Sequence, residues 1–139
     1  MEPNALIVLG VLFLSLITVE SGGVFLTHVV RGTAPANPLQ LSFYRAGHAH
    51  AAVLLVLSML ILSMIDQFEI PLALDLVARF GVPIAAILMP AGFFLSVLGK
   101  DPVKPGKAFI PLWIGATSLT LGLLACGIAA LGTGIGALS

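Results

Sequence analysis

The sequence predicts an all-α fold: an integral membrane four-helix bundle in which residues 1–139 form a single transmembrane domain. Three observations predict it. Apolar runs long enough to cross hydrocarbon recur over about residues 5–30, 43–65, 80–98 and 108–131. Hydrophobic residues make up 59% of the chain and charged residues 9%, far from the balance of a soluble domain. The breaks between the runs collect Pro, Gly and Asn, residues that end helices and start turns.

The first span opens like a signal peptide. No lysine or arginine precedes its apolar part, and Glu2 carries the wrong charge, so it reads as a retained helix. Glu20 interrupts it. On a helix Glu20 shares a face with Gly23, Val24, Thr27 and Arg31, and this polar stripe is expected to look into the bundle. Gly22 and Gly23 are expected to admit a close neighbouring helix. Arg31 to Pro38 forms a loop by its Gly, Pro and Asn content.

The second helix starts either at Pro38, a favoured first position, or at Phe43 after Ser42. Asp66 to Pro71 turns the chain, and Leu72 to Arg79 forms an interfacial lead-in with Asp75 and Arg79 spaced to pair. Pro83 and Pro90 interrupt the third span, where a membrane helix commonly kinks. Lys100 to Lys107 is a short basic loop. The fourth span has Pro111 in its first turn and ends near Leu131 in a glycine-rich tail.

Two hairpins in parallel arrangement are suggested by one internal likeness. Ser21–Thr27 and Pro90–Ser96 match in residue type, and a basic residue, Arg31 or Lys100, follows each at the same distance. The histidines are not repeated. Loops one and three, with their helix ends, hold Arg31, Arg45, Lys100, Lys104 and Lys107. The positive-inside rule therefore places that end in the cytoplasm and both termini outside, in what reads as a bacterial cytoplasmic membrane.

The candidate site is the stretch Tyr44-Arg45-Ala46-Gly47-His48-Ala49-His50-Ala51 at the head of the second span. Ionisable groups inside a bilayer are costly and mark function by default. Glu20 lies roughly 16 Å inside the loop end of its helix by helical rise. From Phe43, His48 and His50 lie roughly 8–11 Å down; from Pro38, about 15–18 Å. Met89 and the fourth-helix residues Trp113, Thr117, Ser118 and Thr120 reach a similar level, whereas His28 sits nearer the surface. His48 and His50 are separated by about 200° on a helix, so they serve opposite faces and cannot both bind one ion.

This His-x-His resembles the helix of haem-copper oxidases that holds haems on its two faces. The whole Tyr-Arg-Ala-Gly-His-Ala-His-Ala stretch resembles small four-helix bacterial integral membrane proteins of unassigned function, a resemblance that brings no mechanism with it. Three readings compete. In the first, His48 or His50 binds haem or a transition metal for a redox role. Glu20 there favours iron or zinc, and Met89 favours copper or a low-spin haem. In the second, Glu20 and a histidine relay protons or handle a solute, which in four helices requires an oligomer. In the third, the polar layer is interhelical glue in a subunit of a larger membrane complex, with a Glu20–Arg45 pair or an Arg45 that snorkels to the headgroups. Membrane lipids and a homo-oligomer or membrane complex are the expected partners. The net charge of +0 and the absence of a basic block exclude nucleic acid. Cys126, the only cysteine, has no intrachain disulfide partner and is expected to serve packing.

Overall fold

The computed structural model describes residues 3–68 and 70–138. Glu2, whose charge enters the reading of the first span above, lies outside the described residues, as does Glu69. The chain forms four long helices: α1 (Pro3–Val30), α2 (Pro38–Met64), α3 (Leu72–Ser96) and α4 (Ile110–Gly136). Each has at least 25 residues, more than the roughly 20 that span a hydrocarbon core. Large side chains such as Ile7, Leu14, Val53, Ile87 and Leu131 point away from the protein. An apolar surface of this extent suits lipid, not water. The chain has the architecture of a small integral membrane protein.

The helix boundaries follow local chemistry. α2 begins at Pro38 and not at Phe43, because Asn37 and Gln40 form a reciprocal capping box. The Asn37 side chain accepts from Gln40 N (2.8 Å), and Gln40 Oε1 accepts from Asn37 N (3.0 Å). The lead-in at Leu72 is continuous with the third span, and α3 runs helically through both Pro83 and Pro90. The glycine-rich tail also stays helical, to Gly136. In hydrocarbon an unpaired backbone costs more than the poor helix propensity of glycine.

The helices pack in chain order, α1 on α2, α2 on α3 and α3 on α4. Leu12, Leu54, Leu62, Val82, Ala85 and Met89 belong to their shared core. The α3–α4 seam is the tightest. A methyl group at position 81 would lie 2.6 Å from Gly122 Cα, and one at position 92 would lie 2.5 Å from Leu112 N. Ser118 donates across this seam to Gly81 O (2.8 Å), and Cys126 Sγ lies 3.6 Å from Ala78 O. Side-chain donors on neighbouring carbonyls are the usual polar glue between membrane helices.

The polar stripe of α1 faces outward, contrary to the expectation from its charge. Ala5, Leu12 and Val29 are buried and Val19, Gly22, Gly23 and Leu26 half-buried, while Glu20, Val24, Thr27 and Arg31 are exposed. The inward face is set by small and aliphatic residues recurring every seven positions (Ala5, Leu12, Val19, Leu26), which leaves Glu20 off the seam. In the suggested repeat, the matched glycines Gly23 and Gly92 both face the following helix, one against a His48 ring and the other against the Leu112 backbone.

Hydrogen bonds tie loops one and three together at one end of the bundle, through Asn37 to Asp101 and Gln40 to Val97 and Gly99. At the other end Arg79 pairs with Asp75 (2.8 Å), as the spacing predicts, and also with Asp66 (2.9 Å).

Candidate functional site

The histidine stretch lies on α2 where that helix is flanked by α1 on one side and α3 on the other. Tyr44 bridges them, edge-on to Phe25 of α1 (5.5 Å between centroids) and stacked on Phe94 of α3 (5.8 Å). Gly47 lies beneath the α3 aromatics; a methyl group there would come 2.9 Å from the Phe94 ring. The motif's glycine therefore makes room for Phe93 and Phe94.

The two histidines diverge as their spacing requires. His48, half-buried, lies across the Gly22–Gly23 step of α1, with its Nδ1 3.4 Å from where a methyl at position 22 would sit. The glycine pair thus admits an imidazole ring, not a neighbouring backbone. His50 faces α3, 4.9 Å from the Phe93 ring. Its Nδ1 lies 2.7 Å from Ala46 O, one turn back on its own helix. A carbonyl only accepts, so Nδ1 is the donor in this contact and Nε2 is the nitrogen left for another partner.

The other expected residues stand apart. The opposition of Phe25 to Tyr44 and of Gly22–Gly23 to His48 makes Glu20 level with about His50. The depths agree, but the sides do not: of the two histidines, it is His48 that lies on the α1 side. Glu20 itself is exposed and has no hydrogen bond or ion pair among the described residues. Arg45 is exposed as well, and the Glu20–Arg45 pair, one of the alternatives, does not form. Met89 is buried in the α3–α4 seam, its Cγ 2.7 Å from where a methyl at Gly115 would sit. His28 belongs to the end of α1, where its Nδ1 is 3.0 Å from Thr33 Oγ1, while Thr33 Oγ1 donates to His28 O (3.0 Å). Within one chain, His48, His50, Glu20 and Met89 do not converge on a point. Among the described residues no group of three or more His, Cys, Asp or Glu side chains is placed to hold a metal ion.

Asn37 and Gln40 join the two loops, a role that the sequence pattern does not single out. Asn37 Nδ2 donates to Asp101 Oδ1 and Pro102 O, both at 2.8 Å, and Gln40 Nε2 donates to Val97 O and Gly99 O, both at 3.1 Å. Gln40 is 7% exposed. The signal for half of this arrangement was present: Asn-Pro-x-Gln is a capping-box pattern with proline at the first helical position.

No family model, no curated protein and no solved structure matches this chain.

Proposed function

We propose that the chain is a laterally associating subunit of a membrane assembly, which presents Glu20 on the outer face of α1 to a transmembrane helix of another chain. One observation carries this: Glu20 is exposed and without a partner among the described residues, ten positions from the end of a helix that spans the bilayer. An ionisable group near the bilayer centre costs about 3 kcal/mol or more when it faces lipid. The neighbouring hydroxyls do not relieve it, because Thr18, Ser21 and Thr27 donate to carbonyls of their own helix. A donor from outside the chain would. By the positive-inside rule the loop end, with five of the six Lys and Arg residues, lies in the cytoplasm and the termini lie outside.

The test is the mass of the protein in mild detergent, by light scattering. The wild type should run larger than one chain and Glu20→Leu should run as one chain, with Glu20→Gln intermediate because it keeps a hydrogen bond. A wild type that is monomeric when extracted gently from its own membrane would contradict the reading.

His50 favours a second reading, haem or transition-metal binding for a redox role. Its Nδ1–H is anchored on Ala46 O, the arrangement that commonly orients Nε2 as a ligand. The other ligands would then come from a second chain, since His48, Glu20 and Met89 lie elsewhere. Loss of a visible absorption band in His50→Ala supports it; a wild type without such a band or stoichiometric metal removes it.

A further inference from the structure

We propose that the furrow between α1 and α2 at the loop end binds the headgroup of an anionic phospholipid, with Arg31 and Arg45 as its clamp. The furrow has a volume of about 260 Å³ and is lined by Leu26, Thr27, Val30, Arg31 and Arg45. Its two guanidinium groups come from different elements, the turn after α1 and the helix α2, and have no ion-pair partner among the described residues. The arginine at the other end of the bundle is different: Arg79 is held by both Asp75 and Asp66.

The chain supplies no counter-charge at this place. Between Glu20 and Asp66 there is no acidic residue at all. Asp101, on the same end of the bundle, accepts a hydrogen bond from Asn37. Two positive charges, one just past the end of α1 and one on α2, therefore await an anion from outside. A phosphodiester fits them, since each arginine presents a planar fork of donors matched to phosphate oxygens.

The carbonyls at the end of α1 would repel an anion, but the chain itself occupies three of them. Thr27 O accepts from Arg31 N, Val29 O from Gly32 N, and His28 O from both Thr33 N and Ala34 N.

The position favours a lipid over a free ion. Arg31 follows directly on the end of α1, where a spanning helix meets the headgroup layer. Leu26 and Val30 give the furrow apolar walls on the side that faces the bilayer, where the upper part of an acyl chain can lie. Basic pockets between transmembrane helices are a known form of anionic headgroup recognition. The proposal does not use Glu20 and stands whether or not the chain associates through that residue.

The test counts lipids retained by the detergent-solubilised protein in native mass spectrometry. The probes are phosphatidylglycerol and phosphatidylcholine of the same acyl composition. The wild type should retain phosphatidylglycerol preferentially and melt at a higher temperature with it. Arg31→Gln and Arg45→Gln should each weaken that retention by roughly fivefold, from about 1 kcal/mol per basic residue. Lys104→Gln, in the exposed third loop, should leave it unchanged. Equal retention of the two lipids by the wild type, or a preference that survives in the double arginine variant, would overturn the proposal. So would full displacement by millimolar inorganic phosphate, which marks a free-anion site. If the double variant does not fold, the wild type alone decides: retention should fall as salt rises, and insensitivity to salt overturns the clamp.

Discussion

Gly81→Val should separate α3 from α4 and cost the protein about 3 kcal/mol or more, read as a lower melting temperature in detergent and reduced yield. A methyl at this position already meets Gly122 Cα at 2.6 Å and both Gly122 N and Ser118 O at 3.0 Å. These are backbone atoms, which cannot rotate away as a side chain can. Opening the seam would also lengthen the bond from Ser118 to Gly81 O and the contact of Cys126 with Ala78 O. In a bilayer, where the hydrophobic effect does not drive helices together, close packing of this kind is a main source of association. Gly127→Val is the control, because a side chain there meets nothing within 4 Å. Equal melting of the two variants would mean that α3 and α4 do not touch at Gly81.

Gln40→Leu should cost about 2–4 kcal/mol and loosen the loop end without changing helix content. The substitution removes three side-chain hydrogen bonds at once: from Asn37 N, to Val97 O and to Gly99 O. Because the position is buried, those backbone groups lose their partner without gaining water. It also undoes half of the capping box that starts α2 at Pro38. The backbone it holds is itself unusual: Gly99 has φ 116, and Asp101, held by Asn37, has φ 55, both at positive φ. Gln40→Glu keeps the acceptor for Asn37 N but sets a buried carboxylate oxygen against the Val97 and Gly99 carbonyls, and should cost at least as much. Protease cutting between Gly99 and Lys107 reports the loosening directly; an unchanged cutting rate would show that the two loops are held by something else.

The helices were legible because hydrophobic length alone specifies a span, and hydrocarbon then enforces continuous hydrogen bonding. The same rule explains why α3 continues back to Leu72 and α4 on to Gly136, where the local residues argued for an end. The divergence of His48 and His50 was legible as rotation on a helix. Which helix each would meet was not, since that depends on the register of α2 against its neighbours.

The charge of Glu20 predicts an inward polar stripe on α1, since a glutamate avoids lipid, and the structure turns that stripe outward. The seven-residue recurrence of Ala5, Leu12, Val19 and Leu26 was the better guide, because seam packing is spread over the whole helix and Glu20 is a single residue. The adjacent pair Gly22–Gly23 suggests a close approach of a neighbouring helix. The tightest approach occurs instead between α3 and α4, where Gly81 meets Gly122, Gly92 meets Leu112 and Gly115 meets Met89, with Gly115, Gly122 and Ala129 recurring every seven positions along α4. Adjacent glycines point in different directions on a helix, whereas a seven-residue spacing keeps one face small along its length.

The outward carboxyl of Glu20 is the centre of the account, and its chemical accessibility in an intact membrane tests it most directly. An apolar carbodiimide partitions into lipid and couples to carboxyl groups it can reach there, and peptide mapping by mass spectrometry identifies the residue modified. If another chain covers this face of α1, Glu20 should resist the reagent in native membranes and react once detergent has separated the assembly into single chains. Stoichiometric modification of Glu20 in the intact membrane, at the rate seen for the separated chain, would contradict the account and point to a lipid-facing, proton-carrying acid in its place.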